Sequence, residues 1–296
     1  MATTTRTLEV PGAVLAYDVW PTASSAESTL LIVGSPMGAD GFAALAERFP
    51  ERTVVTYDPR AAGRSPRTDG ALETTPEEHA DDLRRLISAL DAGPVELFAS
   101  SGGAVNALAL VARHPEQVTT LVAHEPPVWQ VLPDREVGLA AAVDIHDTYL
   151  REGFGPAMAK FIALVSFEGP FPADYVERPA PDPAVFGLPT GDDGPRADPL
   201  LGQNMISASH FQPDFEALRT APTRIVLGVG AASTNVMTGR ATAAVAERLG
   251  TTPVVFPGGH GGFLEGEMSQ GGGPDAFAAR LREVLSGEDA PAPAGR

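Results

Sequence analysis

The chain has 296 residues, 43% of them hydrophobic and 20% charged, which suits one large core with an insertion better than a string of small modules. Its 21 basic against 38 acidic residues leave a net charge of −17, which disfavours nucleic acid and anionic membrane surfaces as partners, and the absence of cysteine excludes disulfides, thiolate catalysis and cysteine-held zinc. The opening MATTTRTLEVPG has no cationic segment leading into an apolar stretch, and no run approaches the ~20 apolar residues of a membrane span, so a cytoplasmic location is expected.

In chain order, LEVPGAVLAYDVW (8–20) reads as a hairpin about Pro11-Gly12. STLLIVG (28–34) is a short apolar run bounded by turn residues, the pattern of a strand covered on both faces. FAALAERF (42–49) has helical spacing, and TVVTYD (53–58) reads as another buried strand. TTPEEHADDLRRLISALDAG (74–93) carries the plainest helix signals: Thr75 as N-cap, Pro76 in the first turn, Glu78 completing a capping box and Gly93 as terminator. PVELFAS (94–100) and VTTLVAH (118–124) are two more buried strands, with the helix of SGGAVNALALVARHPE between them.

This alternation predicts a parallel sheet with helices on both faces. It breaks from about 128 to 212, where helical stretches at 134–152 and 156–168 lead into a loop rich in Pro, Gly and Asp. It resumes with a strand at 223–230, a helix at 238–250, a strand at 252–258 and a last helix around PDAFAARLREVL. An insertion between two strands, at the sheet edge where ligands bind, is most simply a lid. The tail 286–296 is expected to be disordered.

FASSGGA (98–104) sets two serines before two glycines. A nucleophile raised on a sharp turn from strand to helix needs small residues two before and two after it. Ser101 has Ala99 and Gly103 there, whereas Ser100 has Phe98, so Ser101 is the candidate. The Gly102 N–H, at a helix start, suits a developing oxyanion. The competing reading is a stretch that only caps a helix or cradles a phosphate.

LLIVGSPMG, TYDPRAAGRSPR, FASSGGA and the late PGGHGGF together resemble the α/β-hydrolase family in order and approximate spacing, over about residues 8–127 and 213–285. The resemblance implies an α/β fold with an eight-stranded, mostly parallel sheet, helices on both faces and a helical cap (128–212) inserted after the sixth strand. It also implies a Ser/acid/His site at the carboxyl ends of the strands. The family's usual His-Gly after its third strand is here Val33-Gly34. Asp58 and its neighbouring arginines resemble the family's strand-end turn and read as structural, with Gly63 supplying an unusual backbone angle.

His260 is the expected base, since Pro257-Gly258-Gly259-His260-Gly261-Gly262 sets it in a loop after the last strand. His124 is the rival; His79, His114 and His146 read as packing or surface groups. For the acid, the position beyond the strand that follows the cap is Ala231-Ala232-Ser233-Thr234-Asn235, with no carboxylate. Some family members place the acid after the strand that follows the nucleophile helix, which here gives Glu125. A carboxylate there would fix the imidazole tautomer and stabilise the imidazolium. The alternatives are that Glu125 is a partly exposed strand-end residue bonded to backbone or pairs with Arg60 or Arg64, and that a Ser/His dyad operates, with Ser233 or Asn235 as orienter.

The second oxyanion donor is expected from Ser35 or Met37, because Pro36 has no N–H; Ser35 matches the family position. Met37, Trp129, Phe161, Met205 and His210 are expected to contact substrate, although at helical spacing most apolar lid residues are lid core. The expected activity is hydrolysis of an ester, thioester or lactone of a small to medium, largely apolar molecule through an acyl-serine, with no metal or organic cofactor. The partner is a small-molecule substrate, with neither nucleic acid nor membrane, and the oligomeric state is left open. The alternatives are acyl transfer, C–C bond hydrolysis, perhydrolase or elimination chemistry on the same scaffold, and a non-catalytic receptor.

Overall fold

The computed structural model describes residues 3–22 and 27–287, so the expected tail lies, from residue 288 onward, outside the described residues. Strands β1 (Thr4–Val10) and β2 (Ala13–Trp20) form the hairpin about Pro11-Gly12, with Leu8 opposite Leu15. The other strands are β3 (Leu30–Val33), β4 (Val54–Tyr57), β5 (Val95–Ser100), β6 (Val118–His124), β7 (Arg224–Gly230) and β8 (Val254–Phe256). They join one eight-stranded sheet in the order β1-β2-β4-β3-β5-β6-β7-β8. Only β2 runs against its neighbours; every pairing from β4 to β8 is parallel.

The central strands are apolar throughout because alternate residues serve two different cores. Leu31, Val33, Leu97, Ala99, Leu121 and Ala123 face α2 (Pro76–Leu90) and α3 (Gly102–Arg113) in one cluster. Leu30, Ile32, Phe98, Val122 and Phe256 meet α9 (Pro274–Ser286) and the short α1 (Ala43–Ala46) in the other. The helix expected over 42–49 is thus only one turn, preceded by a 3₁₀ turn at Ala39–Phe42. The capping box of α2 is formed as expected, with Glu78 N–H donating to Thr75 Oγ1 and Thr75 N–H to the Glu78 carboxylate, both at 3.1 Å. Its terminator is Asp91 in the left-handed region (φ 50°) rather than Gly93; Asp tolerates that region better than most residues.

Between β6 and β7 the chain forms α4 (Arg135–Glu152), α5 (Phe154–Val165), a π turn at Pro199–Asn204 and α6 (Met205–His210). A further helix, α7 (Phe215–Thr220), returns to the main core through buried Leu218. The inserted helices share their own cluster, which includes Trp129, Ile145, Tyr149, Leu164 and Met205. That cluster is completed by Met237 and Ala241 of α8 (Met237–Leu249), so the insertion is not a free-standing unit. Among the described residues no helix is long and apolar enough to cross a membrane.

Candidate functional site

Parallel strands deliver their carboxyl ends to one edge of the sheet, and β5 and β6 deliver Ser100 opposite His124. The next residue on each strand leaves the sheet in a strained conformation. Ser101 has φ 57° and ψ −130° and begins α3 without a side-chain capping bond; Glu125 has φ 48°. Such angles cost about 1–3 kcal/mol each for a residue with a Cβ. Backbone bonds hold them: Ser101 N–H to the His124 carbonyl at 3.0 Å, and Glu125 N–H to the Gly228 carbonyl at 2.9 Å.

The small residues around Ser101 are set by close approach of backbone. A Cβ on Gly103 would stand 2.7 Å from Gly34 Cα and 2.9 Å from the Val33 carbonyl oxygen, and one on Gly102 would stand 2.6 Å from the Ser35 carbonyl oxygen. The start of α3 therefore lies directly on the loop after β3, which brings the two expected oxyanion segments, Gly102 and Ser35, into contact. Asp58 pins that loop: its Oδ1 accepts the Ala39 N–H and its Oδ2 the Arg64 N–H, each at 2.8 Å. Gly63 packs on the same carboxylate with φ 51°. Met37, 37% exposed, lies over Gly41 on this loop.

Glu125 is fully buried. Its Oε1 accepts the Gly230 N–H at 2.8 Å, and its Oε2 accepts the Thr238 hydroxyl at 2.6 Å and lies 2.7 Å from His260 Nδ1. Burial works to raise its pKa; the hydrogen bond from His260, the neighbouring histidines and the Thr238 hydroxyl outweigh it and hold the carboxyl at about 2. The pairing with Arg60 or Arg64 is not formed, because Arg60 is bound by Asp82 and Arg64 by Asp58 and Asp18. His260 Nδ1 is bonded to Glu125 and not to Ser233 or Asn235; Ser233 is buried, and the Asn235 carbonyl accepts the Gly169 N–H.

His260 is 43% exposed while its Nδ1 is tied to the buried acid, which leaves the other ring nitrogen for a reacting group. No hydrogen bond among the described residues joins it to Ser101 Oγ, so His260 is bonded on its acid side alone. Catalytic bonds commonly tighten only with substrate. His124 is excluded as base by its surroundings. It is buried, its ring is enclosed by Phe98, Phe256, Phe263 and Phe277, and its Nδ1 meets Ser100 Oγ at 3.3 Å. Burial lowers its pKa to about 4.

The expected substrate contacts divide. Trp129, 4% exposed, stacks on Phe171 at 6.2 Å and packs on Gly138; Met205 is buried in the same cluster and Phe161 packs against it. These three side chains are therefore engaged in the core of the inserted segment. His210 is exposed at the rim of an open groove of about 310 Å³ beside Thr75 and Glu77, with Nδ1 held by the Ile206 carbonyl at 2.9 Å. Thr238 was missed from the sequence; a threonine in the first turn of an amphipathic helix has no distinguishing pattern. Among the described residues no group of three or more His, Cys, Asp or Glu is arranged to hold a metal ion.

Comparison with known proteins adds four findings. A family model described as the alpha/beta hydrolase fold matches residues 30–179. The uncharacterized hydrolase YraK of Bacillus subtilis (strain 168) is 32% identical over 287 residues, covering 95% of this chain and 96% of its own. Among solved structures, a thermophilic esterase from Thermogutta terrifontis superposes with TM-score 0.65 at 20% identity, over 97% of this chain and 99% of its own. The enol-lactonase from Burkholderia xenovorans LB400 does so with TM-score 0.63 at 19% identity, over 95% and 100%.

Proposed function

The chain belongs to the alpha/beta hydrolase fold family, and from that premise we propose that it is a serine-dependent esterase acting on ester, thioester or lactone bonds of small to medium, largely apolar molecules. The observation that carries the reading is the bond between His260 Nδ1 and a buried carboxylate, Glu125, beside a serine held at positive φ. Glu125 keeps the Nδ1–H tautomer, so the other nitrogen of His260 accepts the Ser101 proton as Oγ attacks the acyl carbon. The tetrahedral oxyanion is received by the Gly102 amide and an amide of the Ser35 loop. Collapse expels the alcohol or thiol with the proton returned by His260, leaving an acyl-serine. Water, deprotonated by the same imidazole, then releases the acid and restores Ser101.

The substrate class follows from charge. The arginines nearest these motifs are engaged: Arg60 with Asp82, Arg64 with Asp58 and Asp18, Arg240 with Asp134. A polyanionic substrate would find no spare cation among them, which favours an uncharged acyl group.

A fluorophosphonate probe followed by peptide mass spectrometry tests the reading, together with turnover of a p-nitrophenyl ester panel. Labelling of Ser101 with release of free acid is the expected result. Labelling elsewhere would move the nucleophile to another residue, and stoichiometric binding with neither labelling nor turnover would replace the enzyme with a receptor; accumulation of an acylated acceptor would replace hydrolysis with acyl transfer.

A further inference from the structure

The first turn of α8 is shared between the acid and the inserted helices. On one side, Thr238 Oγ1 donates to Glu125 Oε2, the same oxygen that meets His260 Nδ1. On the other, Arg240 grips the start of α4 through Asp134 (Nη2 to Oδ1 2.5 Å, Nη1 to Oδ2 3.1 Å) and donates to the Gly169 carbonyl at 2.9 Å. Just ahead of the helix, Glu168 and Val236 form a β-bridge and the Asn235 carbonyl accepts the Gly169 N–H at 2.8 Å. Met237 and Ala241 are buried in the cluster of the inserted helices.

A single helical turn moves as a rigid piece, so anything that shifts the inserted segment against α8 also shifts the Thr238 hydroxyl against Glu125. The Asp134–Arg240 pair has the character of a latch. Both side chains are largely buried, and Asp134 Oδ2 also accepts the Phe171 N–H at 2.7 Å, which joins three segments at one carboxylate. Breaking one partner of such a pair leaves a desolvated charge behind.

We propose that Thr238 is a positioning residue for Glu125 and that the Asp134–Arg240 pair couples it to the cap, so that seating of the cap sets the orientation of the acid that holds His260. The proposal rests on the Ser101–His260–Glu125 reading. Three donors fix the plane of the Glu125 carboxylate. Without the Thr238 hydroxyl, Oε2 is left with His260 alone, and the carboxylate can turn about its last bond and carry the imidazole with it.

The test uses the full-length protein, p-nitrophenyl acetate turnover and proton NMR of the low-field His260 Nδ1–H resonance, assigned by its loss in Glu125→Gln. Thr238→Val and Asp134→Asn should each broaden or abolish that resonance and lower kcat roughly 10- to 100-fold, the scale of a small misplacement of catalytic groups. KM should stay within about twofold, and the double variant should fall no further than the worse single one, as for two residues acting through one element. Thr238→Ser should restore both readouts. Arg240→Lys, which keeps the charge but loses the two-pronged grip, should move them in the same direction and guards against an unfolded Asp134→Asn. The proposal is overturned if Asp134→Asn and Arg240→Lys leave the resonance and kcat unchanged, or if the two single effects add. Ser101→Ala checks the underlying reading separately: it should lose turnover yet keep the resonance, whichever way the coupling experiment falls.

Discussion

Ser101 and Glu125, the residues that follow neighbouring parallel strands, both hold positive φ angles, 57° and 48°. Each is tied down by a backbone bond to the next strand over: Ser101 to the end of β6, Glu125 to β7. Strain of this kind persists only where the surroundings over-determine it, and here the same edge of the sheet imposes it twice. The two strained residues carry the hydroxyl and the carboxylate of the proposed site, and the carboxylate is bonded to His260 Nδ1.

The strain at Ser101 separates stability from activity. Ser101→Gly should abolish turnover, by roughly 10⁴-fold or more as for loss of a serine nucleophile, while raising thermal stability by about 1 kcal/mol because glycine accepts φ 57° freely. Ser101→Ala should lose the activity without the stabilisation. Ser100→Ala should retain turnover, its hydroxyl being buried against His124. Ester kinetics and differential scanning calorimetry on the three variants check this.

Glu125→Gln tests the acid. A neutral amide cannot stabilise the imidazolium or hold the tautomer as a carboxylate does, so kcat should fall by about 10⁴-fold, the effect of the equivalent change in serine proteases. A dyad that needed no acid would lose less than tenfold. Steady-state kinetics at neutral pH, with circular dichroism to show that the variant is folded, decides between them.

The strained turn at Ser101 and the loop that carries His260 were legible in the sequence because each rests on local pattern: small residues flanking Ser101, glycines flanking His260. Glu125 was legible only indirectly, from the lack of any carboxylate in 231–235 and its place at a strand end. Of its partners, His260 followed from the same reading, and the Gly230 amide and the Thr238 hydroxyl did not. Thr238 lies 113 positions away, and nothing in TGRATAAVAERLG distinguishes a hydroxyl aimed at a buried acid from one aimed at solvent. The same holds for Trp129 and Met205, which helical spacing assigns equally to lid core or pocket and which the fold commits to the core. The buried strands were legible from runs such as LLIV, whose alternate residues feed two clusters. The short helices α6 and α7 were missed because six-residue helices have too few turns to show a period.

Two pH windows for stability follow from the buried groups. His79 and His124 are enclosed, and burial lowers each pKa from 6.5 to about 4. Between pH 6.5 and 4 the unfolded chain therefore binds protons that the folded chain does not, and stability falls as pH falls. Glu125 acts lower down, its pKa reduced from 4.5 to about 2. Its contribution, on the order of 3 kcal/mol, is complete above pH 4.5 and is lost as pH falls towards 2. Urea unfolding from pH 8 to 3 should show His79→Gln flattening the upper window and Glu125→Gln the lower one. Identical curves for His79→Gln and the parent chain would refute the first assignment.

Gly103→Ala probes the cradle from the other side of the site. The added methyl meets Gly34 Cα at 2.7 Å and the Val33 carbonyl at 2.9 Å; these are backbone atoms at the end of β3 and cannot swing aside as a side chain can. Alanine is the better helix former, so on an unobstructed helix this substitution would stabilise. Here the start of α3 must move away from the loop after β3, at about 1–3 kcal/mol for forcing atoms into a packed region. That movement separates Gly102 from Ser35, the two segments expected to supply the oxyanion donors. The expected result is a lower melting temperature together with a fall in kcat on the order of 10²-fold, the cost of losing one oxyanion donor, and little change in KM. A variant that melts lower yet keeps its kcat would show that the contact between these segments serves packing alone and that the oxyanion is received elsewhere.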